Sequence, residues 1–121
     1  MKRVFVMTEW FDASWRDEGL SDEDLRSLQV DLLRNPAVGD VMQGTGGFRK
    51  MRFALPGRGK SSGLRIVYLD IPIFETLYLM LAYPKSAKDS LSAAERTELR
   101  QISVSVKKNL REQSRRGNGN D

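Results

Sequence analysis

The sequence of 121 residues contains no cysteine and no histidine. Without cysteine the chain can form neither a disulfide nor a thiolate metal site. Without histidine it lacks the commonest metal ligand and the commonest general base of enzymes. We therefore expect no bound metal and no cofactor, and any catalysis has to use lysine, arginine, tyrosine or carboxylate side chains.

Long apolar runs are also missing from the chain. No segment approaches the roughly 20 apolar residues that a membrane-spanning helix needs. The N-terminus begins like a signal peptide, with Lys2 and Arg3 before an apolar stretch, but Glu9 and Asp12 interrupt that stretch too early. We expect a cytoplasmic protein with no membrane partner.

Length and composition predict a single globular domain. A chain of this length that is 40% hydrophobic and 30% charged can bury one modest core. Gly, Asn, Ser and Arg dominate the last eight residues, a composition typical of disordered segments. We predict one domain over residues 1–113 and a disordered tail over residues 114–121.

Positive and negative side chains are segregated along the sequence. Residues 9–31 carry eight acids against two cations, whereas residues 41–69 carry six cations and no acid. Like charges that lie so close together repel each other, and a polyanion readily supplies the missing countercharge. The stretch is therefore the predicted functional region. Its cations are Arg49, Lys50, Arg52, Arg58, Lys60 and Arg65.

Apolar spacing and capping residues predict three helices. A short buried strand over residues 3–8 is followed by a helix over residues 9–18, and Ser21 caps a second helix that ends before Pro36. Ser92 and Glu95 form a capping-box pattern that opens a third helix. That helix carries apolar residues at positions 99, 102, 106 and 110 and several cations near its end.

Three further apolar runs, over residues 48–55, 64–71 and 75–83, predict an antiparallel meander joined by Gly- and Pro-containing loops. The last run is apolar on both faces, as is typical of a strand that is covered on both sides. The fold class that follows is α+β, with a small antiparallel β-sheet on which N-terminal helices and a C-terminal helix pack.

The first strand of the meander indicates a candidate site. Alternation places Lys50 and Arg52 on one face, about 7 Å apart, which is close enough to reach one phosphodiester. Arg65 on the next strand can join them. Arg49 and the loop residues Arg58 and Lys60 add charge, while Tyr83 and Lys85 at the end of the third strand offer an aromatic platform and a further donor.

Other interpretations of these residues are open. Lysine and arginine also line the solvated faces of edge hairpins, where they deter aggregation, although such faces usually mix both signs of charge. The sequence GKS at residues 59–61 resembles the end of a P-loop, but position 54 is Ala and no helical pattern follows, so we reject a P-loop. Trp10 and Trp15 are assigned to the core or to partner binding.

Four segments resemble the RelE/ParE toxin superfamily, most closely its RelE and HigB-like branch. They are NPAVGD at residues 35–40, GTGGFRKMRF at 44–53, GRGK at 57–60 and GLRIVY at 63–68. The resemblance covers roughly residues 4–110 and implies the toxin of a type II toxin–antitoxin pair, held inactive by a cognate antitoxin. Its RelE-like members cut messenger RNA in the ribosomal A site.

The resemblance also implies roles for individual residues. The family's two basic residues around an apolar one correspond to Lys50 and Arg52, and its arginine on the next strand corresponds to Arg65. A basic residue after the last strand corresponds to Lys85. Where family members carry a C-terminal tyrosine or histidine, this chain offers Tyr83.

We hypothesise a cleavage of RNA that starts with attack by the 2′-hydroxyl on the adjacent phosphorus and needs no metal. Lys50 acts as general base, because the like charges of Arg52 and Arg65 disfavour its protonated form. The two arginines stabilise the phosphorane, and Lys85 or Arg58 acts as acid. Two alternatives remain, namely a ParE-like inhibitor of DNA gyrase and a catalytically inert domain that binds nucleic acid or an antitoxin.

Overall fold

The computed structural model describes residues 2–54, 63–87 and 90–119. Within these ranges no helix is long and apolar enough to cross a membrane. A 3₁₀ turn, Pro72–Phe74, lies between the last two strands. The strands and helices are, in chain order, β1 (Val4–Met7), α1 (Glu9–Asp17), α2 (Asp22–Arg34), β2 (Asp40–Val41), β3 (Arg49–Phe53), β4 (Leu64–Ile71), β5 (Thr76–Pro84) and α3 (Ala93–Gly119).

The strands form one sheet in the order β1-β5-β4-β3-β2. The predicted meander is confirmed, since β3 pairs antiparallel with β4 and β4 pairs antiparallel with β5. The edge strand β1 departs from the expectation of a purely antiparallel sheet, because it runs parallel to β5. The predicted α+β class, with two N-terminal helices and one C-terminal helix on the sheet, is confirmed.

The starts of the two N-terminal helices are fixed by side-chain caps. The backbone N–H of Phe11 donates to Thr8 Oγ1 at 3.0 Å, and Thr8 Oγ1 donates to the carbonyl of Met80 at 2.6 Å. At the start of α2, Ser21 and Asp24 exchange hydrogen bonds of 3.1 and 2.9 Å in a capping box. The first cap also holds α1 against β5.

Helices cover both faces of the sheet, and each face has its own core. On one face α1 and α2 bury Phe11, Trp15 and Leu28 against strand residues that include Leu79. On the other face α3 packs Leu99 and Val106 against strand residues that include Val67, Leu69 and Met80. The chain is thus a three-layer arrangement of helices, sheet and helix. The sheet positions those strand side chains that the helices do not cover.

Helix α3 is longer than composition predicts. It runs to Gly119, so residues 114–119 continue a helix where the sequence predicts a disordered tail. The last apolar residue that α3 packs against the sheet side is Leu110. Residues 111–116 are all exposed, and the strong helix formers among them, Arg, Glu and Gln, favour continuation of the helix.

Candidate nucleic-acid interface

Strand β3 directs its side chains to opposite faces of the sheet. Met51 and Phe53 are buried in the core under α1 and α2. Lys50 and Arg52 alternate with them and therefore point to the α3 side, where Arg52 is exposed and Lys50 is half-buried. The alternation that the sequence predicts for this strand is thus observed.

Strand β4 brings Arg65 directly beside this pair. Leu64 and Ile66 lie in the α1–α2 core, so Arg65 between them faces the α3 side. The register pairs Arg65 with Arg52 on one neighbour and with Tyr83 on the other. Directly opposed residues have Cβ atoms about 4.5–5.5 Å apart. Lys50, Arg52 and Arg65, which we call the cation cluster, therefore lie on one face of two adjacent strands.

Tyr83 forms the far side of the cluster. The residue is only 7% exposed and belongs to the core under α3 together with Leu91. Little of the ring is therefore open for stacking on a base, and the side chain acts as an apolar wall beside Arg65.

Lys85 lies just beyond the end of β5, in an exposed turn. The preceding residue, Pro84, pairs with Leu64, which is the neighbour of Arg65 in β4. Lys85 is thus at the same end of the sheet as the Arg52–Arg65 pair, with a side chain that solvent surrounds.

Arg49 is directed away from the cation cluster. Its guanidinium donates hydrogen bonds to the carbonyls of Gly39 at 2.7 Å and Ala37 at 3.4 Å. Alternation along β3 places it on the face of Met51, a signal that was already available in the sequence. Arg49 therefore fastens the loop before β2 to β3 and lies outside the group that faces α3.

Tyr68 fixes the same loop, and sequence analysis did not single it out. Its buried hydroxyl donates to the carbonyl of Pro36 at 2.7 Å and accepts from the N–H of Gly39 at 2.9 Å. Burial raises the pKa of the Tyr68 phenol, against the opposing effects of the Gly39 hydrogen bond and the Arg49 charge. A Cβ at Gly39 would lie 2.9 Å from the carbonyl oxygen of Lys50, so the loop packs directly against β3.

Arg58 and Lys60 are also predicted to contact the anion. They belong to residues 55–62 of the β3–β4 connection, which lie outside the described residues. Of the eight predicted site residues, the described part of the chain therefore brings together Lys50, Arg52, Arg65 and Tyr83. It places Lys85 nearby, and it places Arg49 on the opposite face.

The cation cluster has no carboxylate partner among the described residues. Ion pairs in those ranges join Arg3 to Asp70 at 2.7 Å and Lys2 to Glu75 at 4.0 Å, and neither pair involves the cluster. Like charges placed directly opposite each other destabilise a strand pair. Two opposed arginines with a lysine on the same face form an arrangement that an anion such as a phosphodiester stabilises.

Comparison with known proteins places the chain in a family. It matches the family model described as the RelE toxin of the RelE/RelB toxin–antitoxin system over residues 2–117. Among solved structures it is similar to a mutant of E. coli toxin RelE in the free state, with 20% identity and a TM-score of 0.53 over 74% of this chain and 90% of that chain.

Two further solved structures show weaker similarity. The intact E. coli RelBE toxin–antitoxin complex matches with 19% identity and a TM-score of 0.49, over 69% of this chain and 96% of that chain. The E. coli DinJ–YafQ toxin–antitoxin complex matches with 11% identity and a TM-score of 0.39, over 74% of this chain and 100% of that chain. The family match extends over nearly the whole sequence, and the chain therefore belongs to the RelE toxin family of toxin–antitoxin systems.

Proposed function

We propose that this toxin is a ribosome-dependent endoribonuclease that stops translation by cutting messenger RNA, and that a cognate antitoxin holds it inactive. The observation that carries the proposal is the direct pairing of Arg52 with Arg65 on a face that also holds Lys50. Membership of the RelE toxin family supports both the activity and the antitoxin partner.

The reaction requires three things of the protein. The 2′-oxygen of one ribose attacks the adjacent phosphorus, a bond to the 5′-oxygen of the next nucleotide breaks, and a 2′,3′-cyclic phosphate is formed. A base takes the 2′-hydroxyl proton and an acid gives a proton to the leaving 5′-oxygen. The phosphorane in between carries extra negative charge that positive side chains can stabilise.

The cation cluster provides groups suited to each requirement. Arg52 and Arg65 are direct partners on adjacent strands, and their planar guanidinium groups can both reach the non-bridging oxygens of one phosphate. Because the negative charge grows as the phosphorane forms, these contacts strengthen in the transition state.

Proton transfer is assigned to the two lysines. Lys50 lies on the same face two residues before Arg52, about 7 Å along the strand, and is the proposed general base. Lys85 lies in the exposed turn after β5, at the Arg65 end, and is the proposed general acid. The ribosome would hold the messenger in the geometry for in-line attack, which reduces what the toxin itself has to supply.

Purified ribosomes programmed with a defined messenger test the proposal. We expect the Arg52→Gln, Arg65→Gln double variant to cut at least 100-fold more slowly, in line with the loss of a charge-stabilising contact in other enzymes. The matched control removes two cations from α2, through Arg26→Gln and Arg34→Gln, and should cut at the wild-type rate. Cleavage positions are mapped by primer extension.

A charge-conserving variant separates binding from proton transfer. Lys50→Arg keeps the positive charge but removes a group that can readily exchange a proton, so we expect ribosome binding to remain and cleavage to slow by roughly 100-fold or more. Cutting at the wild-type rate by the Arg52→Gln, Arg65→Gln variant would refute the proposed site. Inhibition of DNA gyrase in a supercoiling assay, without any RNA cleavage, would replace the proposal with a ParE-like role.

A further inference from the structure

Helix α3 separates its charges by side. Residues that face the sheet are apolar, and Leu99, Ile102 and Val106 define that direction. At 100° per residue, six cations fall on a second side of the helix: Arg96, Arg100, Lys107, Lys108, Arg111 and Arg115. We call this side the α3 ridge. It runs for about 28 Å at a rise of 1.5 Å per residue.

Hydrogen bonds orient the ridge relative to the sheet. Arg96 donates to the carbonyl of Gln43 at 3.2 Å, and Lys107 donates to the carbonyl of Gly46 at 3.2 Å. Both acceptors belong to the connection between β2 and β3. The ridge therefore borders the side of the molecule where β3 and its Lys50 and Arg52 lie, and not the β1 edge of the sheet.

The acids of α3 lie elsewhere on the helix. Glu95 and Glu98 line a groove of about 550 Å³ on the opposite side of the helix, together with the exposed Trp10. Glu112 lies at the flank of the ridge and is the only acid in α3 beyond Glu98. The ridge therefore carries one sign of charge along almost its whole length.

Favourable interaction with the helix dipole does not explain this arrangement. The dipole stabilises cations in the last turn of a helix and loses its effect within about one turn. Arg96 lies at the end of the first turn, where the dipole disfavours positive charge, and Arg100 lies beyond the reach of the dipole at either end. Packing does not explain it either, because residues 111–116 extend beyond the last core contact and are exposed.

We propose that the α3 ridge binds the phosphate backbone of double-helical RNA, at a surface separate from the cation cluster. This inference deepens the proposed function, on which it rests for the choice of RNA, by adding a second RNA contact. A straight row of cations on a rigid helix suits a phosphate backbone, and proteins recognise RNA duplexes mainly through shape, phosphates and 2′-hydroxyls.

An acidic protein segment fits the ridge less well. Protein interfaces are centred on aromatic or other large apolar anchors, and among the residues whose side chains the structure describes the ridge side exposes one large apolar side chain, Val104, at 62%. The apolar, partly exposed surface of α3 lies on the groove side with Leu81 and Met80 instead. Charge without an apolar centre is typical of backbone contacts to nucleic acid.

The test compares two variants of the full chain that lose the same charge. The ridge variant carries Arg100→Gln, Lys108→Gln, Arg111→Gln and Arg115→Gln, which spares the two cations that hydrogen-bond the β2–β3 connection. The control variant carries Lys2→Gln, Arg16→Gln, Arg26→Gln and Arg34→Gln. Each lowers the net charge from +4 to zero. Affinity for a labelled 16-base-pair RNA duplex is measured by fluorescence anisotropy between 50 and 300 mM salt.

We expect the ridge variant to bind the duplex at least tenfold more weakly than wild type. The slope of log affinity against log salt concentration should be smaller by about 2–3, because fewer phosphate contacts release fewer counterions on binding. The control should stay within threefold of wild type. A ridge pair variant, Lys108→Gln with Arg115→Gln, should show about half of the change in slope. Circular dichroism verifies that every variant retains its helix content.

Three results would overturn the ridge proposal: equal losses in the ridge and control variants, unchanged binding by the ridge variant, or polyglutamate competing as well as RNA of equal charge. The Arg52→Gln, Arg65→Gln variant distinguishes the two proposals, because it should keep duplex affinity within threefold while losing cleavage. If the wild-type protein does not cut messenger RNA but binds the duplex through the ridge, the nuclease proposal is refuted and the ridge proposal stands.

Discussion

At the scale of single residues, the phenol of Tyr68 has the clearest structural role near the site. It satisfies a carbonyl at Pro36 and an N–H at Gly39, both in the loop that lies against the backbone of Lys50. A buried polar group that loses its partner costs about 1–3 kcal/mol. The Tyr68 hydroxyl therefore holds this loop beside β3 together with the hydrogen bonds of Arg49.

Replacing Tyr68 with Phe gives the first prediction at this scale. We expect the free energy of unfolding to fall by about 1–3 kcal/mol at pH 7, because the Pro36 and Gly39 groups lose their partner. Urea unfolding followed by circular dichroism measures the loss. A variant as stable as wild type would show that water replaces the hydroxyl without cost.

The same pair of proteins predicts a pH dependence. The pKa of Tyr68 is raised in the fold, so the native state holds its proton more tightly than the unfolded state does. The stability that the neutral phenol supplies is fully present below pH about 10 and is lost as the pH rises through the folded value. As the pH rises above about 10, the difference in unfolding free energy between wild type and Tyr68→Phe should therefore narrow, whereas a constant difference would contradict the raised pKa.

At the scale of elements, docking of α3 depends on a close approach at Gly46. The carbonyl of Gly46 accepts hydrogen bonds from Ser103 Oγ at 2.7 Å and from Lys107 Nζ at 3.2 Å. Gly46 has φ +76°, and a Cβ there would lie 2.8 Å from the Cβ of Ser103. Only glycine meets both conditions, so this residue joins the β2–β3 connection to the helix.

We predict that Gly46→Ala lowers the free energy of unfolding by about 2–4 kcal/mol, from backbone strain plus overpacking against Ser103. Gly44→Ala is the matched control. It has a similar φ of +78° with nothing within 4 Å, so it should cost about 1 kcal/mol. Adding Ser103→Gly to the Gly46 variant relieves the steric contact and should recover part of the loss. Equal effects of the two alanine variants in urea titrations would contradict the steric argument.

Much of the element structure is predictable because its causes are local. Ser21 with Asp24 and Ser92 with Glu95 form the capping boxes that start two helices, and β4 has the bounds that its apolar run predicts. Alternation along β3 correctly assigns Lys50 and Arg52 to one face. These signals depend on residues that are neighbours in the sequence.

The remaining features depend on contacts between distant segments. The parallel pairing of β1 with β5 joins residues about 70 positions apart, and nothing in the apolar pattern of residues 4–7 specifies that partner. The burial of Tyr83 under α3 and the bulge between Val67 and Tyr68 follow from how the layers pack. The sequence pattern around a tyrosine at a strand end is the same whether its side chain faces solvent or a helix.

At the scale of the whole molecule, the sheet separates opposite charges. The acid-rich helices α1 and α2 cover one face, whereas the cation cluster and α3 lie on the other. A protein polarised in this way is oriented by the field of a polyanion before contact, which raises the association rate at low salt. The unbound protein, however, bears the repulsion within its cationic face.

This repulsion predicts a variant that is more stable and less active. Arg65→Gln removes one member of the opposed pair, so we expect the unfolding free energy to rise by about 0.5 kcal/mol at 20 mM salt, or the Tm by roughly 2–4 °C. At 500 mM salt the gain should shrink, because salt screens the repulsion between Arg52 and Arg65. Arg26→Gln on α2 is the control and should give no gain. A lower Tm for Arg65→Gln at both salt concentrations would contradict the prediction.

The pairing of the first strand with the last has a consequence for how the toxin is made. Because Val4 pairs with Thr76 and Met7 with Leu79, β1 has no strand to pair with until residues 76–79 have been synthesised. Long-range pairing of this kind closes slowly. The sheet of a nascent toxin therefore cannot be completed until β5 has been synthesised, late in the translation of its own messenger.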